Sequence, residues 1–314
     1  MARELISTNH AFTALMWSNS QLWFEVVYVA GMASAALLAL GWRTRTTSLL
    51  FMLGVLSLQN RSPLMGDGGD NIVHVMAVCL VFTRCGQVWS LDARRTAADR
   101  EDGGGRPDVI GIGMWAFFTV ALAFVTALGK LSTGWALLLW GFLFAQAAWW
   151  LVRRCAPGEP RAVMEMMGNV LHAGALLVIA VEVCLVYSTA GWYKIQGALW
   201  QEGTALYYPF HLAFFTPWPA LSHAIASSSL LVLLLTYGTV MAEVAFPLVL
   251  FNKWTRVAVV ALMMTMHAGI GILLGLPLFA LAMMSADALF LPTAFLRRVG
   301  HRVSRGVTAL VGPD

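Results

Sequence analysis

Charge is what this chain has least of. Asp, Glu, Lys and Arg make up 11% of its 314 residues, against about 25% in soluble domains, which excludes an ordinary water-soluble globule. Apolar and polar residues do not alternate with period two, which excludes a transmembrane β-barrel. Cysteine is scarce as well. Cys79, Cys85, Cys155 and Cys184 form no CxxC pair, and Cys79 and Cys184 fall inside apolar runs, so packed, reduced thiols are expected. The seven histidines show no HxxxH or HExxH spacing, and no metal is expected. There is no G-x-S-x-G, P-loop or dinucleotide fingerprint. The opening "MARELISTNHAFTALMW" lacks the basic region, apolar core and small-residue cleavage site of a secretory signal.

What the chain does have is apolar length. Hydrophobic residues reach 59% and the mean hydropathy is +0.72. Long apolar runs recur throughout, which implies an all-α polytopic helical membrane protein. Nine spans are expected, at about 22–42, 46–60, 72–86, 109–129, 135–152, 164–190, 224–250, 255–275 and 277–296. Residues 1–21 read as an interfacial or loosely ordered leading segment, 22–297 as one transmembrane domain, and 298–314 as a basic cytoplasmic tail. Residues 90–108, containing "DARRTAADREDGGGRPD", read as a flexible cytoplasmic linker.

The charges that exist are unevenly placed. The net charge is +4 and the pI is near 9.0, which suits loops held at an anionic membrane face better than nucleic acid. Membrane lipids are the expected partners. In alternating loops, sixteen of the twenty Lys and Arg residues fall on one side. Arg3, Arg61, Lys130 and Lys194 fall on the other. The rule that cytoplasmic loops are basic then puts the C-terminus inside a bacterial plasma membrane and the N-terminus outside.

With that orientation the unusual residues gather at the outer face. The loop "NRSPLMGDGGDN" over 60–71 is outside, with His74 a turn later. Lys194 follows in "YSTAGWYKIQGALW". The stretch "QGALWQEGTALYYPFHLAFFTPW" is too polar to span and rich in interfacial aromatics, so it reads as a re-entrant or surface-lying element. Ionisable groups inside a bilayer cost about 2.5–3.5 kcal/mol each, so Glu182, Glu243, His267 and Asp287 are expected to face the bundle interior, paired or hydrated. Bland roles stand beside chemical ones. Lys194 also suits a snorkelling anchor, His74 and His267 suit packing positions, and Glu243 and Asp287 suit interhelical hydrogen bonding.

Several segments taken together resemble a known family. They are "LSLQNRSPLMGDGGDNIVHVMAVCLVF" followed by "WSLD", then "YSTAGWYKIQGALWQEGTALYY", "EVAFPLVLF" and "MHAGIGILLGLPLFALAMMSADALFLP". In order and spacing they resemble the horizontally transferred transmembrane (HTTM) domain family, the membrane part of vitamin K-dependent gamma-carboxylase and its bacterial relatives, here of an actinobacterial type. The resemblance implies that Lys194 is the base acting on a vitamin K or menaquinol-type quinol, and that His267 matches the family's late histidine. It also implies cofactor contacts from Asp70, Asn71, His74, Tyr187 and Trp200, and substrate contacts from His211 and Glu182. Asp70 and Asn71 stand where the eukaryotic carboxylase has histidine. The carboxylase's β-rich extramembrane domain has no counterpart in the tail "RRVGHRVSRGVTALVGPD".

Two classes of function follow as expectations. The first is a quinol-dependent lyase or oxidoreductase that modifies a peptide or small substrate. A lysine among apolar and aromatic walls is desolvated, which favours the neutral amine that acts as a base. The second is a non-catalytic membrane partner of a secreted peptide or soluble protein, similar to sporulation-delaying toxin maturation proteins. A transporter is the weaker third, because paired broken helices near the midplane are not evident.

Overall fold

The amino-acid pattern is helical throughout, and so is the structure. The computed structural model describes residues 11–61, 66, 68–101, 108–156, 158–300 and 302, and every regular element among them is a helix or 3-10 turn. Twelve α-helices follow in order: α1 (Gln21–Ala39), α2 (Thr44–Gln59), α3 (Gly68–Leu80), α4 (Leu91–Glu101), α5 (Val109–Ala127), α6 (Thr133–Cys155), α7 (Glu159–Gln196), α8 (Ala198–Gln201), α9 (Pro219–Ala226), α10 (Ser229–Val249), α11 (Lys253–Leu273) and α12 (Pro277–Asp287).

Exposure decides what solvent these helices need. Nothing in α5 is buried, and Phe117, Val120 and Phe124 are each more than 60% exposed. Water would not tolerate such a surface, and hydrocarbon would. Six helices, α1, α5, α6, α7, α10 and α11, are long and apolar enough to cross a bilayer. The chain is therefore a multi-pass membrane protein of all-α class.

The nine expected spans all fall on helices, but three are short. α2, α3 and α12 have 16, 13 and 11 residues, below the roughly 20 that about 30 Å of hydrocarbon requires. α2 is the clearest case, burying Thr44, Thr47, Ser48, Met52, Gly54, Leu56 and Ser57 in protein. The expected span 277–296 is bent by 114° where 277–290 meets the helix over 293–300. Leu291 is extended at φ −67°, ψ 141°, as the residue before Pro292 must be to avoid its ring. Counting that bent pair as one span gives up to seven.

By its packing the chain divides into two compact units. Of the described residues, one comprises 11–61 with 77–101, 108–156 and 158–175, the other 66 and 68–76 with 176–300 and 302.

In the first unit α1 and α2 pack closely because each has a glycine, Gly31 and Gly54, at the crossing. A Cβ at Gly54 would lie 3.0 Å from the Gly31 Cα, so small residues let the backbones meet. The leading segment is not loose from Phe12 onward. Phe12 is buried with Met52, Leu56 and Ala77, Thr13 Oγ1 donates to the Ser57 carbonyl at 2.9 Å, and Asn60 Nδ2 donates to the Phe12 carbonyl at 2.9 Å. The expected linker 90–108 also departs from flexibility, since α4 occupies its first part. Asp92 accepts from the backbone N–H groups of Arg43 and Thr44 at 2.9 and 2.7 Å, capping α2. Asp108 caps α5 through Gly111 N and pairs with Arg43. Residues 102–107 of that stretch lie outside the described residues.

In the second unit the aromatic stretch after α7 forms α8 and three 3-10 turns at Ala205–Tyr207, Pro209–His211 and Ala213–Phe215. It is tied to α10, whose Tyr237 hydroxyl donates to the Gln201 carbonyl at 2.6 Å. Behind it, α11 and α12 pack tightly: a Cβ at Gly271 would lie 3.0 Å from that of Ala280.

Candidate functional site

Four helical faces of the second unit converge on ionisable groups. On α7, Tyr187, Gly191 and Lys194 recur at spacings of four and three, one face of a helix. On α10 the buried set is Val232, Thr236, Ala242, Glu243 and Phe246, and on α11 it is Val259, Val260, Met263 and His267. On α12 it is Ala280, Met283, Ala286 and Asp287.

Lys194 sits in the last turn of α7, where carbonyl dipoles favour a cation. Its ammonium donates to both carboxylate oxygens of Glu243. The pair is unequally covered: the lysine side chain is 22% exposed and the glutamate 6%. Close approach of the two helices depends on Gly191, where a Cβ would lie 2.7 Å from Val244 Cγ2 and 3.2 Å from the Val244 nitrogen. Trp200, just past the end of α7, places its ring 5.2 Å from the Lys194 ammonium, within cation–π range.

Beneath this pair lies a second cluster. Phe246, one turn after Glu243, packs on the Tyr187 ring at 4.6 Å. The Tyr187 hydroxyl donates to Asp287 Oδ1 at 2.8 Å. Asp287 is fully buried, and its Oδ2 has no hydrogen-bond partner. His267 Nδ1 lies 2.9 Å from the Met263 carbonyl and 3.8 Å from Asp287 Oδ2. A carbonyl only accepts, so Nδ1 carries a proton, and in the neutral ring Nε2 is then the acceptor. The His267 ring also faces Tyr187 and Phe279, at 5.9 Å each.

Of the residues expected at the site, the structure brings Lys194, Tyr187, Trp200 and His267 together. Asp70 and His74 lie one turn apart and half-buried on α3, with Asn71 exposed between them. The start of α3 reaches the histidine's neighbour, since a Cβ at Gly68 would lie 3.9 Å from the Phe279 ring. Glu182 is half-buried, three turns before Lys194, and takes no part in its ion pair. His211 belongs to a separate aromatic group. Its Nδ1 meets the Tyr207 carbonyl at 2.8 Å and its ring lies 5.1 Å from that of His223. Sequence reasoning placed Glu243 and Asp287 in the interior but not in the site. Their shared signal is a carboxylate inside an apolar run, and the partner that gives each a role comes from another helix.

Among the described residues no group of three or more His, Cys, Asp or Glu side chains is gathered as metal ligands. A quinol needs a flat apolar wall and an acceptor for a phenolic hydroxyl. Trp200 offers the first, and the Glu243 carboxylate of the partly open Lys194–Glu243 pair offers the second. The residues fit such a group. Comparison with protein-family models, curated proteins and solved structures returns no match.

Proposed function

We propose that this membrane protein is a quinol-dependent enzyme of the HTTM, carboxylase-like type, acting at an outward-facing site in a bacterial plasma membrane. The Lys194–Glu243 pair is its proton acceptor. One observation carries the reading: a lysine and a glutamate from different helices share an ion pair that is buried on the glutamate side and partly open on the lysine side. The order of the sequence motifs supports the family, and Trp200 supports a planar ligand.

The pair revises the role of the lysine. An ammonium already bonded to two carboxylate oxygens is not a free amine. Glu243 takes the proton from a hydroxyl, and the Lys194 ammonium stays as counter-charge for the oxygen that releases it. Trp200 holds the ring plane, and the packed face behind keeps water out. When bound, a quinol would supply the acidic hydroxyl and the reducing equivalents, with dioxygen as the oxidant that takes them. Tyr187, Asp287 and His267 form the floor, orienting the site through hydrogen bonds rather than touching the reacting oxygen.

A second reading rests on the same observation. Both glutamate oxygens are satisfied by the lysine, so the pair also serves as a clamp between α7 and α10, as a non-catalytic partner of a secreted peptide would need. Purified protein separates the two. Quinol oxidation is measured for wild type, Lys194→Met, Glu243→Gln and the double change Lys194→Met with Glu243→Met. An enzyme loses about a hundredfold or more with each single change and stays inactive in the double. A clamp gives no quinol turnover even in wild type, and its unfolding temperature falls in each single variant and returns in the double, because an apolar pair often replaces a buried ion pair without loss. Turnover unchanged in either single variant removes the pair from the chemistry.

A further inference from the structure

A cavity of about 1070 Å³ lies wholly within the first unit, and no residue of the Lys194 cluster lines it. Its wall gathers Arg43, Arg45, Arg84, Arg95, Arg153 and Arg161, against the carboxylates of Asp92, Asp108 and Glu165. Those carboxylates are already engaged. Arg43 grips both oxygens of Asp108. Arg95 stands 3.9 Å from Asp92 and 3.7 Å from Asp108, and Arg161 bonds Glu165 at 2.9 Å.

Arg45, Arg84 and Arg153 are left without an ion pair among the described residues. The Arg84 guanidinium donates to a neutral acceptor, the Glu165 carbonyl, at 2.9 Å. The Arg45 guanidinium lies over Trp149 at 4.7 Å. Burial, and then the like charges of Arg153 and Arg84, push that guanidinium down from its ordinary value, and Asp92 only partly opposes them. Two buried donors in the same wall, Trp149 Nε1 and Arg43 Nε, also have no hydrogen-bond partner. Fixed positive charge in excess, with N–H groups unspent, is the complement of an anion that accepts several hydrogen bonds. A pocket of this size also exceeds the roughly 300–1,000 Å³ that holds a small molecule.

We propose that this cavity binds a phosphate group, held by Arg45, Arg84 and Arg153, with Trp115, Trp149 and Trp150 against the less polar part of the same molecule. The phosphate is carried either by an anionic lipid headgroup or by a small soluble phosphate compound. The tryptophans and the neighbouring apolar helices favour the lipid.

The test uses the full chain in nanodiscs of phosphatidylcholine, with and without phosphatidylglycerol, and separately with inorganic phosphate added. Thermal unfolding and lipid retained in native mass spectrometry are the readouts. A lipid site predicts that phosphatidylglycerol is retained and raises the unfolding temperature while inorganic phosphate does not. A soluble-phosphate site predicts the converse. In both cases Arg153→Gln weakens the response about tenfold, the factor one charge-assisted hydrogen bond contributes. The triple change Arg45→Gln, Arg84→Gln, Arg153→Gln abolishes it, and Lys253→Gln in the other unit leaves it intact. If the triple variant fails to fold, the wild-type responses and Arg153→Gln still decide. Wild type indifferent to both additions, or Arg153→Gln responding as wild type does, overturns the proposal.

Discussion

Asp287 shows how much one buried oxygen decides. The Tyr187 hydroxyl is the hydrogen-bond donor to its Oδ1, in a place where neither residue reaches solvent. Tyr187→Phe removes that donor and leaves a fully buried carboxyl group without a hydrogen bond on either oxygen. Leaving such a group unsatisfied costs about 1–3 kcal/mol, so the variant unfolds at a lower temperature in detergent than wild type, while Tyr28→Phe, on an exposed side chain, does not. Asp108 supplies the corresponding case outside the membrane spans. The Arg43 guanidinium holds its carboxyl down at about 2, from an ordinary 3.8. A depressed carboxylate stabilises the fold above its unfolded value and loses that contribution as pH falls from 3.8 toward 2. The side chain is 46% exposed, so the contribution is about 1 kcal/mol or less. Unfolding temperatures of wild type and Asp108→Asn should therefore differ at neutral pH and converge below the folded value. A gap that persists there would assign the effect to packing instead of charge.

At the scale of the helix pair, glycine decides whether the candidate site exists. Gly191→Ala drives a methyl to within 2.7 Å of Val244 Cγ2 and 3.2 Å of a backbone nitrogen, and backbone does not move aside cheaply. α7 and α10 must part, at about 1–3 kcal/mol for such overpacking, and the Lys194–Glu243 pair loosens with them. Gly174→Ala on the same helix meets open space. Its exchange should be neutral or stabilising by up to about 1 kcal/mol, the helix-propensity difference. Unfolding of the two variants side by side checks the contrast, and equal behaviour would mean that the crossing is not tight. The positions of long helices such as α5, α6 and α10 were legible in the sequence because a run of apolar side chains needs no partner to declare itself. α2 and α3 were legible as short helices from the expected spans 46–60 and 72–86, whereas α12 was legible as a helix but not as a short one. Their lengths are set by what they pack against and by Pro292.

For the whole molecule, sidedness is the property most open to test. Cys85 and Cys155 are exposed, whereas Cys79 is buried and Cys184 half-buried. With the arginine-rich loops inside, a membrane-impermeant maleimide should label Cys85 and Cys155 in inside-out vesicles and leave intact cells unlabelled. Labelling from outside would invert the orientation that the charge count predicts, and with it the outward-facing site. Composition alone determined that this chain lives in a bilayer, since a surface so poor in charge has no other solvent. Spacing determined most of its helices, and the scarcity of charge singled out Lys194, His267, Glu243 and Asp287 as residues needing an explanation. Only the tertiary structure decided the groupings: Lys194 with Glu243, Tyr187 with Asp287, and Arg45, Arg84 and Arg153 on the wall of one cavity. An ionisable residue inside an apolar run announces its own cost, but the group that offsets it sits on another helix, and which helix that is depends on packing.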